Sequence, residues 1–439
     1  MPLKGARGTP VSPPNREPTP LKTALPAPPA PSNLIPPQNS PTQPDLRQSS
    51  HWTTTTLSPS LKILSPPRPP LNLTLTTHPP YMFRIFKMAE AAAKRMKPTL
   101  QIGTHSGHFH ADEALAVHML RSLPTYASSS LVRTRDPALL ADCHTVVDVG
   151  GEYDAATNRY DHHQRTFSTT FPSRDTKLSS AGLVYLHFGK DLIRRKIGLE
   201  EGVEDTPEVD LVWKKLYEAF VEALDAHDNG ISAYDTAALD AAGLKKRFSD
   251  GNFSLGAMVG RRNRGFGDPT PQDFPDLAAA QRDEDERFLS ASKLIGTEFD
   301  LTLDYYSRSW LPARSIVVAA YEKRAEFDPQ GRVMVFEGAS APWKDHLYSL
   351  EGDEAKVLYV LYPESAAPGA KWRVQAVSVS KDSFASRKPL PEAWRGFRDE
   401  ELDGISGVEG CVFVHAAGFI GGNKTFEGAK AMVAKALEM

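Results

Sequence analysis

The chain has 439 residues, of which 40% are hydrophobic and 24% charged, and its formal net charge is −3. This length holds two or three domains of ordinary size, and the composition is typical of a soluble globular protein with a less ordered part. Cys143 and Cys411 are the only cysteines, which excludes a disulfide framework and a cysteine zinc site and favours a reducing compartment. No apolar run approaches the roughly 18 residues that span a bilayer, so we expect no membrane partner.

The N-terminal segment differs in composition from the rest of the chain. Residues 1–87 contain 21 of the 36 prolines and nine Lys or Arg against two acids, so this segment carries +7 and the remainder −10. So few large apolar residues cannot offset the ordering entropy, and we predict a disordered leader over residues 1–97. The segment is basic and hydroxyl-rich like an organellar targeting leader, although it is too proline-rich for an amphipathic helix. The alternative is an over-extended gene model, with translation starting at Met88 and a product that can stay in the cytoplasm.

Strand-like and helix-like segments alternate in the next part of the chain. This alternation predicts an α/β fold with a mainly parallel sheet. The predicted strands cover residues 99–102, 131–135 and 145–149, and the predicted helices cover 111–123, 138–142, 179–195 and 209–224.

A long helix over residues 274–303 is predicted as a connector to a region of different texture. Beyond it, β-like segments dominate, which predicts a second, smaller α+β domain. We therefore expect one domain over residues 98–295 and another over 305–439. The β-like segments are 315–321, 332–336, 356–361, 372–379 and 410–415, followed by a helix over 426–437.

Seven of the 13 histidines lie between His105 and His163, among acids. The first cluster follows a predicted strand and begins a predicted helix. Because ligands in open α/β sheets lie at the carboxyl ends of strands, His105, His110 and Asp112 could supply three metal ligands. The alternative is a solvated polar loop in which Asp112 serves the helix N-terminus.

Two further acidic groups strengthen the metal interpretation. Asp148 ends an apolar strand, where a buried acid rarely lacks a partner, and a carboxylate there suits a bridging ligand between two metals. The alternative is a capped loop or a surface salt bridge. Asp225 and Asp228 lie three residues apart at a predicted helix end and therefore share a face. For this pair the alternative is an ordinary C-terminal turn before Gly230.

Two segments could contact phosphate. Residues 418–425 are one residue short of a P-loop, and a glycine loop that begins the terminal helix can bind phosphate through backbone N–H groups. The alternative is a glycine turn before an amphipathic helix. The basic run of residues 261–264 could follow a nucleic-acid backbone, or it could be a solvated surface loop.

These motifs together resemble the DHH phosphoesterase superfamily and, within it, the Myg1 family. The resemblance covers nearly everything after residue 99. The motifs are His105-Ser-Gly-His-Phe-His110-Ala-Asp112-Glu113, Asp148-Val-Gly-Gly, Tyr-Asp161-His162-His163-Gln, Leu-Ser-Ser-Ala-Gly182-Leu, Asp225-Ala-His-Asp228-Asn-Gly and His415-Ala-Ala-Gly-Phe-Ile-Gly421-Gly422-Asn423-Lys424.

The resemblance implies a DHH-type domain, a substrate-binding domain, and 3′–5′ RNA exonuclease activity in mitochondrion and nucleus. It implies two divalent ions, Mn²⁺ or Mg²⁺, and RNA as the substrate. The implied metal ligands are His105, His110, Asp112, the bridging Asp148, His162, and Asp225 or Asp228. The implied catalytic residues are Asp148 and His163, and His163 is expected to contact phosphate. The implied phosphate-binding residues are Arg261, His415, Gly421, Gly422, Asn423 and Lys424.

The chain departs from the family pattern in two places. Many DHH enzymes have two aspartates where this chain has His110 and Asp112, and the exchange removes one negative charge and could alter metal preference. The family usually has Leu-Asn-Pro where Arg261 is followed by Arg-Asn-Arg, which leaves the role of that loop open.

Two other functions therefore remain as alternatives. One is hydrolysis of short oligonucleotides or a small phosphate compound. The other is non-catalytic binding of a nucleic acid or nucleotide on a DHH fold. His118 and His144 are expected to be structural, and neither His108 nor the oligomeric state is assigned.

Overall fold

The computed structural model describes residues 99–199, 204–352 and 356–439. The predicted leader over residues 1–97 and the possible start at Met88 lie outside these ranges. Within them, no helix is both long enough and apolar enough to cross a membrane.

The first sheet has the order β2-β1-β3-β5-β4. β1 pairs in parallel with β2 and β3, β3 pairs in parallel with β5, and β4 is antiparallel to β5. The mainly parallel sheet expected for this region is confirmed. Because parallel strands end at the same edge of a sheet, the residues that follow β1 and β3 meet there. The strands are β1 (Gln101–Thr104), β2 (Ser130–Arg133), β3 (Thr145–Val147), β4 (Tyr153–Asp154) and β5 (Arg159–Tyr160).

Helices make up most of the remaining described structure. Two single π-helical turns, Tyr217–Val221 and Tyr306–Trp310, join α4 to α5 and α8 to α9. The helices are α1 (Ala111–Arg121), α2 (Pro137–Ala141), α3 (Ser180–Ile197), α4 (Pro207–Leu216), α5 (Glu222–Asp228), α6 (Thr236–Ala241), α7 (Leu255–Gly260), α8 (Leu277–Tyr305), α9 (Leu311–Glu322), α10 (Arg324–Phe327), α11 (Lys344–Glu351), α12 (Asp399–Ser406) and α13 (Phe426–Glu438).

Helix α1 is the centre of the first hydrophobic core. Its apolar residues are buried around most of its circumference because it lies between α3 and α8. Burying one such side chain, as at Leu115, stabilises the fold by roughly 2 kcal/mol. The close approach of α8 depends on Gly296, where an added Cβ would lie 2.1 Å from the ring of His118. This packing fixes the first turn of α1, which carries Asp112, at the carboxyl ends of β1 and β3.

The second sheet has the order β6-β7-β8-β10-β9 and is mostly antiparallel, with one parallel pair, β6 and β7. It has its own hydrophobic core, to which α13 contributes Met432 and Val433. The mixed α/β architecture is confirmed, whereas the DHH-type arrangement and the boundaries at residues 295 and 305 stay predictions. The strands are β6 (Val333–Val335), β7 (Tyr359–Pro363), β8 (Trp372–Ala376), β9 (Cys411–Val414) and β10 (Ile420–Asn423).

One predicted strand is wrong. Residues 315–321 belong to helix α9, although Ile316, Val317 and Val318 favour a strand by propensity. The residues of α9 that are buried, Ala313, Val317 and Ala320, are four and three positions apart, which is helical spacing. Tertiary burial therefore outweighs the local β propensity.

Candidate metal centre

His105 follows strand β1 directly and is buried against two carboxylates. Its Nε2 lies 3.0 Å from Glu113 Oε1 and 3.4 Å from Asp148 Oδ2. Glu113 also accepts the backbone N–H of His110 at 2.8 Å, which holds the start of α1. Donor atoms of His105, His110, Glu113 and Asp148 all lie within 4.8 Å of one another. Glu113 was absent from the predicted ligands, although its place in the first turn of α1, beside Asp112, was a signal.

Asp148 lies at the centre of the site. It follows strand β3 with φ +56°, a left-handed conformation that costs a non-glycine residue on the order of 1 kcal/mol and persists where the surroundings fix it. Its Oδ2 faces His105, while its Oδ1 lies 3.5 Å from both His162 Nε2 and His163 Nδ1. The two oxygens of one carboxylate thus face different histidine groups. This is the geometry that a ligand bridging two metal ions requires.

A further group of possible ligands lies beside the first. Donor atoms of Asp112, His162 and Asp228 lie within 4.8 Å of one another, and His162 Nε2 is 3.0 Å from Asp228 Oδ2. Asp112 was expected beside His105 and His110. It lies in this second group because consecutive helical residues point about 100° apart, so Asp112 and Glu113 face different sides.

The two aspartates at the end of α5 have different surroundings. Asp225 is fully buried and accepts hydrogen bonds from Ser179 N–H at 3.0 Å and from the Tyr217 hydroxyl at 2.8 Å. An added Cβ at Gly182 would lie 2.4 Å from its oxygens, so this carboxyl fills the space that glycine leaves. Asp228, not Asp225, shares a ligand group with His162. The geometry therefore favours Asp228 as the ligand, and Asp225 fixes the start of α3.

Ser179 connects the buried Asp225 to the metal centre. Its hydroxyl lies 2.7 Å from Asp225 Oδ1 and 2.5 Å from Asp112 Oδ1. The N–H groups of Ser180 and Ala181 also donate to Asp112, as an anion is bound at a helix N-terminus. The Ser179 hydroxyl has one proton and can donate to only one of the two carboxyls. Its contact with the other carboxyl is favourable when that carboxyl carries a proton and donates it to the Ser179 oxygen. Burial raises the pKa of Asp225 to about 7 and that of Asp112 well above its usual range, so this pair of carboxyls can hold the proton.

The electrostatics of the cluster favour a bound cation. Burial alone would lower the pKa of His105 and His162, but hydrogen bonds and charges from nearby carboxylates raise both to about 10. Burial also opposes ionisation of Asp148, yet hydrogen bonds from His105 and His162 hold its pKa below the ordinary value. Burial, together with the charges of Asp148 and Asp228, raises the pKa of Asp112 well above its usual range. Protonated imidazoles thus balance the carboxylates where metal ions would.

A buried carboxylate oxygen supports the fit of a metal. Glu113 Oε2 has no hydrogen-bond partner within the described part of the chain. Carboxylate oxygens with imidazole nitrogens are a donor set that accepts several divalent ions, including Mn²⁺. The residues present therefore fit a divalent metal.

His163 is held by the aspartate of its own triplet. Asp161 Oδ1 accepts a hydrogen bond from His163 Nδ1 at 2.6 Å, and its Oδ2 accepts Gly151 N–H at 2.6 Å. The hydrogen bond to Asp161 raises the pKa of His163 and assigns the Nδ1 proton to this pair. His163 is 62% exposed and lines the cavity, so its Nε2 is available to a ligand.

The candidate centre lies in a cavity of about 990 Å³. Its lining carries histidines and carboxylates described above. The lining also includes apolar residues of the π-helical turn, α5 and α7, of which Phe220, Leu224 and Leu255 are the largest. A cavity lined by both charged and apolar side chains suits a ligand with a phosphate and a ring.

A long-range ion pair holds the histidine-rich loop. Arg133 at the end of β2 has a fully buried side chain and contacts Glu284 of α8 at 2.8 Å. The backbone of Gly107 joins this pair, because its C=O accepts from Arg133 at 2.8 Å and its N–H donates to Glu284 at 2.6 Å. Asn263 similarly donates to the C=O and accepts from the N–H of Phe109. Sequence spacing gave no signal for the contacts of Glu284 and Asn263, since their partners lie more than 150 positions away.

The basic run of residues 261–264 is largely engaged in internal contacts. Arg264 forms an ion pair with Asp283 at 2.9 Å, and Arg262 donates to Met258 C=O at 2.9 Å. Arg261 donates to Asn252 C=O at 3.1 Å and lies beside the cavity-lining Gly260. Of this run, the arginine suited to a ligand at the cavity is Arg261.

The predicted glycine loop near the C-terminus is wrong as a loop. Gly421 and Gly422 lie in strand β10, between β8 and β9. An added Cβ at Gly422 would lie 2.7 Å from the Trp372 carbonyl oxygen, so close strand packing accounts for this glycine. Asn423 is buried, donates to Glu409 C=O and accepts from Thr425 N–H.

The cavity at the metal centre is lined by residues of the first 260 positions. The C-terminal phosphate-binding candidates are absent from its described lining, and their phosphate contacts stay predictions. They are His415, Gly421, Gly422, Asn423 and Lys424.

Comparison with known proteins identifies the family. The family model MYG1_exonuc, described as an uncharacterised protein family (UPF0160), matches residues 101–437. A MYG1 protein of Caenorhabditis elegans is 45% identical over 351 residues, covering 78% of this chain and 96% of that protein. The MYG1 exonuclease of Homo sapiens is 43% identical over 378 residues, covering 82% of this chain and 94% of that protein. A MYG1 protein of Saccharomyces cerevisiae is 43% identical over 335 residues, covering 75% of this chain and 94% of that protein. The chain therefore belongs to the MYG1 family.

Proposed function

We propose that this chain is a metal-dependent phosphodiesterase that removes nucleotides from the 3′ end of RNA. The observation that carries the proposal is Asp148, whose two oxygens face His105 on one side and His162 with His163 on the other. The human, mouse, bovine and rat relatives are all named MYG1 exonuclease, which supports the same class of reaction.

Two divalent ions, Mn²⁺ or Mg²⁺, suit the two overlapping ligand groups. Bound there, they would lower the pKa of water and neutralise charge on the phosphate. One ion would be held by His105, His110, Glu113 and Asp148. The other would be held by Asp112, His162 and Asp228. Asp148 also groups with His162 and His163, and its Oδ1 lies 3.5 Å from His162 Nε2, so this carboxylate could reach both ions.

The protein groups prepare this chemistry. Asp161 orients His163 and raises its pKa, which favours the protonated ring, and that form can donate from Nε2 to a phosphate oxygen. Ser179 and the N–H groups of Ser180 and Ala181 hold the Asp112 carboxylate in place. The apolar lining at Phe220 excludes water from the part of the ligand that it contacts.

The size of the cavity favours a second candidate, hydrolysis of short oligonucleotides. Its volume of about 990 Å³ lies at the upper end of the range for small-ligand pockets. Such a cavity accommodates a strand end or a short oligonucleotide. A length series of RNA substrates separates the two, because a short-oligonucleotide hydrolase loses activity as the strand grows.

The proposed place of action is the mitochondrion and nucleus. The basic, hydroxyl-rich residues 1–87 support a targeting leader. Fluorescent fusions of the full chain and of a chain starting at Met88 test this. Identical cytoplasmic distribution of both would contradict the targeting proposal.

The activity is tested with end-labelled RNA and DNA of one sequence, with and without Mn²⁺. We expect metal-dependent shortening of RNA from the 3′ end, and a loss of at least about 100-fold in Asp148→Ala and His162→Ala. His144→Ala is the matched control, since His144 lies in none of the possible metal groups of the described residues. Activity like that of the unmodified protein in both ligand variants would disprove the mechanism.

A further inference from the structure

Several exposed hydrophobic side chains lie in residues 231–266, the segment that also contains the cavity-lining helix α7. Phe253 is 83% exposed and Phe248 74%, and both precede α7. Phe253 lies between Gly251 and Ser254, two residues that line the cavity. Large apolar side chains exposed together at the edge of a cavity mark a site of interaction. The other exposed members of the same segment are Ile231, Tyr234, Leu244 and Phe266.

The same segment is basic within an acidic protein. Residues 231–266 contain six Lys or Arg and three Asp, although residues 88–439 together carry −10. Lys245, Lys246 and Arg247 directly precede Phe248 and are exposed. Lys246 pairs with Asp250 on the surface. This charge complements an anionic partner.

The turn that carries Phe253 is tied to the cavity wall. Arg261, at the end of α7, donates to the C=O of Asn252 at 3.1 Å. The residues between them, including Leu255 and Gly256, line the cavity. An aromatic ring and a guanidinium group therefore lie at the two ends of one short stretch that borders the candidate active site.

We propose that this aromatic and basic rim, residues 245–261, binds the single-stranded nucleic acid that enters the cavity. A base of the strand stacks on Phe253, and Arg261 with the basic residues before Phe248 contacts its phosphates. Exposed aromatic rings next to cations are what single-strand binding requires, because each base offers a stacking face and each linkage a charge. This inference rests on the proposed function and assigns the surface that receives the substrate.

Binding is measured by fluorescence anisotropy with a labelled single-stranded RNA of about 12 nucleotides. We expect Phe253→Ala to raise Kd by about 5- to 100-fold, as expected for the loss of one stacked base. Phe384→Ala is the matched control, because Phe384 is also highly exposed but belongs neither to residues 245–261 nor to the described lining of the cavity. Equal Kd values for the Phe253 and Phe384 variants would overturn the proposal.

Two measurements distinguish base stacking and phosphate binding from nonspecific hydrophobic binding. Phe253→Trp should retain the affinity and Phe253→Leu should lose it, whereas a protein partner that needs only an apolar surface would accept leucine. Arg261→Ala should reduce the salt dependence of log Kd by about 0.7 for each phosphate that the variant no longer neutralises, while Phe253→Ala leaves that slope unchanged. A leucine variant with full affinity, or an unchanged slope in Arg261→Ala, would contradict the assignment.

Failure of this inference is separable from failure of the proposed function. In Mn²⁺, Phe253→Ala should lower kcat/KM for the longer RNA more than kcat/KM for a dinucleotide, which offers the rim fewer bases and phosphates to contact. No hydrolysis of either substrate by the unmodified protein would refute the proposed function. A ratio of the two kcat/KM values that is the same in all variants would refute the rim alone.

Discussion

The loops that follow β1 and β3 in the first sheet can be compared with the hairpin of β9 and β10 in the second sheet, which contains Gly421 and Gly422. Both regions combine histidine with glycine and polar residues that resemble a family motif. In the parallel sheet, β1 and β3 end at one edge, so His105 and Asp148 come within 3.4 Å of each other. In the antiparallel sheet, Gly421 and Gly422 lie within a strand and allow close packing of β8, β9 and β10. The parallel strands thus bring residues from separate motifs together at the candidate metal centre. In the hairpin, the glycines of the motif allow close packing of the strands.

The strongest expected contrast between the two regions is catalytic. Asp148→Asn keeps a residue type that tolerates the left-handed backbone, so the fold should persist. It removes the negative charge between the two ligand groups, and we expect cleavage of labelled RNA to fall by at least about 100-fold. Asp142→Asn, an exposed aspartate before β3, is the control. Activity within a few-fold of the unmodified protein would remove Asp148 from its central position.

The next largest effect is expected for the ion pair of Arg133 and Glu284, which holds the histidine-rich loop at Gly107. Arg133→Ala leaves Glu284 and the Gly107 carbonyl without their buried partner, and we expect the free energy of unfolding to fall by about 3 kcal/mol. Urea titration measures this. The double variant Arg133→Ala with Glu284→Gln should recover part of the loss, because it removes the unpaired charge. An additive effect of the two substitutions would show that the ion pair does not hold the loop.

The buried carboxyl behind the site gives a pH-dependent difference. Burial raises the pKa of Asp225 to about 7 from an ordinary value of 3.8, so the folded protein holds this proton more tightly than the unfolded chain. The stability from this group is complete below about pH 4 and is lost as pH rises through about 7. The free energy of unfolding of the unmodified protein relative to Asp225→Asn should therefore fall by on the order of 1 to 3 kcal/mol over this window. A difference that is flat or rises with pH would contradict the buried proton.

The smallest expected effect tests the second region. Asn423→Ala removes two hydrogen bonds of a buried amide, to Glu409 and Thr425, and should lower the free energy of unfolding by about 1 to 2 kcal/mol. Metal binding at the first sheet should be unchanged, because Asn423 does not line that cavity. Calorimetric titration with Mn²⁺ alongside urea unfolding checks both points. Lost metal binding with normal stability would place the hairpin at the site after all.

Much of the candidate site could be predicted from the chain. Asp148 and His162 stand at or near strand ends, which parallel topology brings to one edge of the sheet. Glu113 could not be distinguished from Asp112, because the rotation of the helix decides which ligand group each one joins. Contacts such as Arg133 with Glu284 depend on pairing across the fold, which local spacing does not encode.

The errors in the fold prediction have a similar cause. Ile316, Val317 and Val318 favour a strand locally, but the core buries their segment at helical spacing. Gly421 and Gly422, before α13, were predicted to lie in a loop, because a strand glycine and a loop glycine are alike in sequence. In both cases neighbours distant in the chain decide the conformation.

The central claim is that Asp148 joins two divalent ions, and electron paramagnetic resonance of the Mn²⁺-loaded protein tests it most directly. Two ions bridged by one carboxylate lie about 3.5–4 Å apart and give an exchange-coupled signal. We expect two Mn²⁺ per chain with coupling in the unmodified protein, and loss of coupling in Asp148→Asn. A single uncoupled Mn²⁺ in the unmodified protein, or coupling that survives in Asp148→Asn, would contradict the account.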